Sequence, residues 1–490
     1  TAVAIPMAIK GTSVRAFATQ DLTTNSIAGY TAPFTVETGG TLHFGWAADG
    51  TTPLVLKKTT TSPAGTNTFI SQTGTTLIST SLDGLQKASG TTGNVQYASS
   101  NKTFDQTAVF WYVGKNDQVT GDVFTTGGTA KTIICDLIDN TKKLTLSSST
   151  SITAPGLLNI IKGQFFESTT ALITGSTGGL TMEDGTRYVI PSLSSSATDF
   201  IPRMDGLSSI YNLSGNSTIE LNGADGASVY DQYLRGSRNY RNLTFSTSGT
   251  KTISSAISSI TGTITVADAA VLNVDDKGMG GIGTNLTMTG TSQYITAGIG
   301  VKPDASETYN LGTGTKVTFT SGSIAVPILT LQQIRLAPNY YNIDVLGNNV
   351  GTNTATGPVK IQSGGTFTVK SNGVFKHSNT AGFSGSNVTA IDNTNTPTIS
   401  LEANSTIDYA GADQTITLFS PAYRNLTISG TGVKTLQNAT ATRVEEDLKV
   451  DAAKLLLNTD QVITVKKGVF IAATGAEFEI LNNAQLIQID

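Results

Sequence analysis

Ile210–Leu221 reads IYNLSGNSTIEL, Thr308–Phe319 reads TYNLGTGTKVTF and Thr398–Tyr409 reads TISLEANSTIDY, three versions of one phrase. A second phrase follows each copy: YRNLTF at Tyr240–Phe245, YYNIDV at Tyr340–Val345 and YRNLTI at Tyr423–Ile428. The first and last copies run on together, with YRNLTFSTSGTKTI at Tyr240–Ile253 over YRNLTISGTGVKTL at Tyr423–Leu436, an offset of 183 residues. Within each phrase apolar and polar residues alternate, which is the period of a strand with one buried face. A short repeated strand unit cannot bury that face alone and must stack on its neighbours. The expectation is an all-β chain, a right-handed parallel β-solenoid of the β-helix, pectin-lyase-like kind built from degenerate repeats.

The same grammar recurs outside the phrases. FTVETGGTLHF (Phe34–Phe44), KIQSGGTFTV (Lys360–Val369), VKSNGVFKHS (Val369–Ser378) and FIAATGAEFEI (Phe470–Ile480) each read as strand, turn, strand. Gly-Gly and Asn-Gly supply the positive φ that tight turns need. Arg443–Asn458 (RVEEDLKVDAAKLLLN) looks helical in isolation, but its repeat mate Ile260–Asp275 (ITGTITVADAAVLNVD) is β in character, so both are expected to be strands. In the N-terminal third, Tyr112–Gln118 echoes Tyr409–Gln414 with one residue inserted. We therefore divide the chain into an N-terminal solenoid segment, 1–150, with a diverged repeat and lateral loops, and repeats over 151–490. The copies in the second part lie near 205–276, 305–345 and 395–460.

Composition limits function. The 490 residues carry 13% charged side chains, a net charge of −4 and 51 glycines. Low net charge with recurrent Val, Ile and Thr describes an ordered polar β protein rather than a disordered one. The balance provides no basic footprint for phosphates, so nucleic acid is not an expected partner. No apolar run approaches the roughly 20 residues of a membrane-spanning helix. The chain starts at Thr1 rather than Met, which suggests a processed or excised form.

Chemistry-bearing residues are sparse. Cys135, the single cysteine, lies in TIICDLI and reads as a buried inert thiol. His43 and His377 have no partners at zinc-ligand spacing, and neither calcium motif is present, so no metal and no cofactor are expected. Asp275-Asp276 and Asp460 are the residues a β-helix glycosidase would need, yet the repeat places them at equivalent positions on separate rungs, as turn residues. Glu445-Glu446-Asp447 reads as a solvated acidic face. Scattered Thr-x-Thr strands such as Thr263–Thr265 reflect strand propensity rather than an ice-binding array. Trp46 and the run Phe110-Trp111-Tyr112 are the candidates for ligand or partner contact, because consecutive strand residues cannot all face inward. No catalytic residue emerges, and no enzymatic activity is expected.

Several phrases carry a family resemblance. NLTISGTGVKTL, GGTFTVKSNGVFKHSNTAGFSGSN, AIDNTNTPTISLEANSTIDYAGADQTI and EILNNAQLIQID resemble large secreted repeat proteins of Bacteroidetes exported by the type IX secretion system. DGLQKASGTTGNVQ (Asp83–Gln96), GKNDQVTG (Gly114–Gly121) and GGLTMEDGTRYVIP (Gly178–Pro191) extend the likeness to the first half. The resemblance implies an extracellular or cell-surface adhesin-like β-helix that meets the outer-membrane secretion machinery during export. It also implies a sorting domain after the last phrase, so a C-terminus that is truncated or processed is expected. Surface glycans, other cells and self-association into fibres are the partners it suggests. A β-helix carbohydrate-active enzyme, a polysaccharide lyase or glycosidase, is the alternative.

Overall fold

The computed structural model describes residues 8–9, 22–24, 33–46, 51–58, 68–124, 128–129, 131–175, 177–191, 200–204, 211–225, 228–275, 277, 285–297, 308–320, 332–334, 336, 338–347, 350–352, 358–437, 441–472 and 474–489. Among them the chain is all-β, with a single 3₁₀ turn at Ser99–Asn101. Almost every strand pair is parallel, and the sheets stack as a β-solenoid. The fold expected from the repeats is the fold found. The chain divides into two compact units, Thr1–Gly249 and Thr250–Asp490.

In the first unit a seven-stranded sheet runs from Thr41–His43 through Thr76–Ser79, Val109–Tyr112, Thr132–Asp136, Leu157–Lys162 and Gly179–Met182 to Tyr211–Leu213. In register, Phe110 lies between Leu77 and Ile133, and Ile133 pairs with Leu158. All four are fully buried, as alternation requires of the inward parity. The second unit repeats the arrangement. Val317, Ile343, Phe367 and Ile399 form one inward ladder across the strands Lys316–Phe319, Asn339–Val345, Lys360–Val369 and Thr398–Leu401. Phe375, Ile407, Leu426 and Leu448 form another, on the sheet that contains Thr406–Tyr409 and Asn425–Ile428.

The repeated glutamine explains why Tyr112–Gln118 echoes Tyr409–Gln414. Gln118 accepts from the Gly114 N–H at 3.0 Å and donates to the Ser81 carbonyl one rung earlier at 2.7 Å. Gln414 does the same with the Gly411 N–H, at 2.7 Å, and the His377 carbonyl, at 3.1 Å. A buried amide that satisfies a turn and the previous rung together makes the corner dry without orphaning a backbone group.

Arg443–Asn458 is β as expected, forming Thr442–Val444, Leu448–Val450 and Lys454–Leu457. One reading changes. Lys360–Val369 is a single ten-residue strand rather than strand, turn, strand. Its register against Asn339–Val345 shifts between Tyr340 and Asn342, so Gly364-Gly365 forms a bulge. A Cβ on Gly365 would sit 2.1 Å from the Tyr341 carbonyl oxygen, which is why glycine is needed there.

Candidate functional site

The aromatic candidates separate by strand parity. Phe110 and Tyr112 point into the core and are fully buried. Phe110 packs edge-on to Phe124 at 5.1 Å, and the Tyr112 hydroxyl donates to the Thr120 carbonyl at 2.9 Å. Both are therefore core residues and leave the set of contact candidates. Trp111 faces outward and is partly exposed, and its Nε1–H donates to Asp136 Oδ2 at 3.3 Å. Around it the outward ladder reads His43, Ile78, Trp111, Ile134, Asn159, Thr181. Trp46 is partly exposed beyond the end of Thr41–His43, and the Lys115 ammonium sits 4.7 Å over its ring. Each indole is thus held by a charged partner, Trp111 by Asp136 and Trp46 by Lys115.

Buried carboxylates form a second group that no motif announced. Glu220 takes the Ser246 hydroxyl at 2.5 Å and pairs with Arg187. Asp408 takes the Ser429 hydroxyl at 2.6 Å and lies 3.5 Å from Lys376. These are repeat mates: the acid belongs to the first phrase, the serine follows the second, and the cation comes from the rung before. In the middle copy Thr318 holds the acid's place, and the acid shifts to Asp344, which is shared by Lys316 at 3.2 Å and Lys370 at 3.9 Å. Burial pushes the Asp408 carboxyl up, against the opposing pull of Ser429 and Lys376, and the Asp451 charge adds to the rise. Asp408 and Asp451 act on one another electrostatically, and a glycosidase needs two carboxylates flanking its scissile bond. Asp408 is engaged across rungs as above, and Asp451 takes the ammonium of Lys449, two residues earlier in its own rung, at 2.7 Å.

The remaining candidates have structural roles. Cys135 is fully buried, burial pushes its thiol well up, and its S–H faces the Lys162 carbonyl at 3.5 Å. His377 lies in the core against Tyr409, with ring centroids 4.3 Å apart. Among the described residues no group of three His, Cys, Asp or Glu side chains could hold a metal ion. Asp460, with φ of 64°, lies in a turn as expected, whereas Asp275, with φ of 46°, ends the strand Val271–Asp275 at a bulge and pairs with Thr296; Asp276 lies outside the described residues. The acidic run is not merely solvated. Glu445 pairs with Arg443 and Lys466, Glu446 accepts the Asn404 N–H at 2.8 Å, and Asp447 accepts the Gly468 N–H at 3.0 Å. The three acids thus tie the turn at Asn404 and the bend at Lys466–Gly468 to this rung.

Buried lysines are the feature that sequence reasoning missed. Lys131, Lys251 and Lys434 have no exposed surface, and Lys102 is nearly as buried. The Lys434 ammonium donates to the Gly411 and Ala412 carbonyls, each at 2.7 Å, and to Thr431. Lys102 donates to Gln86 at 2.6 Å, Val95 at 3.3 Å and Ser89. Burial brings each of Lys102, Lys131 and Lys434 down to about 8. The signal was present, since Lys251 and Lys434 share one place in the 183-residue repeat at an inward-parity position.

No family model matches the chain, and no curated protein or solved structure matches it either.

Proposed function

We propose that the chain is an extracellular, surface-associated β-solenoid of adhesin type, exported through the type IX machinery, that takes glycans on its outward face at Trp111. The observation that carries the glycan reading is the setting of that indole. Its neighbours Phe110 and Tyr112 are locked in the core, and Asp136 holds its N–H, so the ring is ordered before any ligand arrives. An ordered aromatic offers its electron-rich face to the C–H groups of a sugar at little entropic cost. Trp46, already covered by Lys115, is the second aromatic candidate.

A glycan array with the full chain, followed by calorimetry on the best oligosaccharide, tests this. Trp111→Ala is expected to weaken binding about tenfold, equivalent to about 1.4 kcal/mol. Trp46→Ala should cost less. An array with no bound glycan, or equal affinity in Trp111→Ala, refutes the site. The export and surface assignment rests on the sequence resemblance, and protease shaving of intact producing cells tests it separately. Negative-stain electron microscopy of native material tests fibre formation. The enzymatic alternative requires depolymerisation of a polysaccharide that Asp408→Asn abolishes.

A further inference from the structure

In all three copies of the first phrase the opening strand ends a sheet. Tyr211–Leu213, Tyr309–Leu311 and Thr398–Leu401 are each the terminal strand in their sheet's order. In each copy the same leucine carbonyl, which the next rung would have used, is capped by a side chain. Arg241 Nε donates to Leu213 at 2.8 Å, Gln362 Nε2 to Leu311 at 2.6 Å and Arg424 Nε to Leu401 at 3.3 Å. The opening strand of the repeated phrase is therefore a sheet-terminating device, while its second strand, at Thr218–Leu221, Lys316–Phe319 and Thr406–Tyr409, pairs on both sides.

The third copy differs in what lies beside the edge. Where the first two copies carry Tyr211 and Tyr309, it carries Ile399. A cavity of about 300 Å³ opens there. One wall is the strand edge at Ile399, Ser400 and Leu401, and the other is Phe419, Pro421 and Ala422. Rung bonds run from Leu346 N–H to Phe319, from Lys370 to Val345 and from Glu402 to Val369. By alternation Ser400 also faces Lys360–Val369, while the backbone of Ile399 and Leu401 faces the cavity. Among the described residues no strand pairs with that side. The following segment cannot fill the place, because Pro421 has no N–H to give and Tyr423 pairs onward with the Val444 position. Ile399 and Leu401 are partly exposed, although Phe367 and Val369, directly below them in the ladder, are fully buried.

We propose that this slot binds an extended peptide from another polypeptide, adding a strand to the Thr398–Leu401 edge and placing one tyrosine-sized ring in the cavity. The unpaired backbone of Ile399 and the Leu401 N–H demand a partner with regularly spaced donors and acceptors, which a strand supplies. The ring requirement comes from the chain's own other copies, where a tyrosine stands at this place and Tyr211 packs on Tyr240 at 6.2 Å.

The probe is a fluorescein-labelled hexapeptide of the sequence TYNLGT, that of residues Thr308–Thr313, titrated against the full chain by fluorescence anisotropy. Saturable binding is expected, about tenfold weaker when the peptide's tyrosine is alanine. Ile399→Tyr should fill the slot and abolish binding. Should that variant fail to fold, Ser400→Arg, at an exposed lining position, should block the mouth with the same result. Absence of peptide binding, unchanged affinity in either folded variant, or a slot that takes oligosaccharide and no peptide would overturn the proposal.

Discussion

His377 offers the sharpest test of the core, because its imidazole is buried where a charge cannot be solvated. It stacks on Phe375, lies tilted against Phe383 and meets Tyr409 edge-on, and its Nδ1 lies 3.4 Å from the Gln414 amide. Desolvation by this aromatic shell, aided by the Lys434 charge, lowers its pKa from 6.5 to about 3. An unfolded chain takes a proton on this histidine below pH 6.5, and the folded chain does not until about pH 3. Its contribution is thus fully present above pH 6.5 and is lost as pH falls toward 3. At pH 4 the interval is 6.5 minus 4, and at 1.36 kcal/mol per unit the loss is about 3 kcal/mol. The perturbation is His377→Phe, which keeps the aromatic packing and removes the titration. Urea unfolding at pH 7.5 and pH 4 would be compared between wild type and variant, so that the carboxylates shared by both cancel. The variant should recover about 3 kcal/mol of the acid loss. With only two histidines in the chain, proton NMR supplies an independent reading: the His377 ring resonances should not move above pH 4. A His377 midpoint above pH 5, or an identical acid slope in the variant, would refute the argument.

Further expectations follow from the same contacts. Lys434→Met leaves the Gly411, Ala412 and Thr431 carbonyls without their donor and should cost about 2 kcal/mol, read by urea unfolding. Because Lys102, Lys131 and Lys434 sit near 8 when folded, the unfolded chain holds more protons between pH 8 and 10. Stability should therefore rise across that window and rise less in Lys434→Met. Arg241→Ala uncaps the Leu213 carbonyl and should cost about 1 kcal/mol, with faster amide exchange confined to the rungs beside Tyr211–Leu213. Cys135 should resist a thiol-reactive dye in native protein and react fully in urea; rapid native labelling would contradict its burial.

The architecture was legible because its signal is local and repeated. Alternation in YRNLTI and TIDY names a buried parity, and the glycine and asparagine turns mark the corners; the structure places strands at Asn425–Ile428 and Thr406–Tyr409 accordingly. Repetition also rescued Arg443–Asn458, whose helical spacing alone pointed the wrong way. The site was legible only in part. Three adjacent aromatics guaranteed that at least one faces outward, and strand alternation then selects Trp111, but the phase of that alternation needs the neighbouring rungs Leu77 and Ile133.

What the sequence by itself determined is the class of object: period-two strands that cannot bury a face alone must stack in parallel. What only the tertiary structure decided is which groups meet across rungs. Lys434 carries a charge, yet a turn of the preceding rung presents carbonyls that hold it within the core. The opening strand of the first phrase read as one more strand, yet it ends its sheet in all three copies. The residues that cap its leucine carbonyl lie 28, 51 and 23 positions away. Contacts at that separation depend on the register of the stack, which no single stretch of sequence encodes.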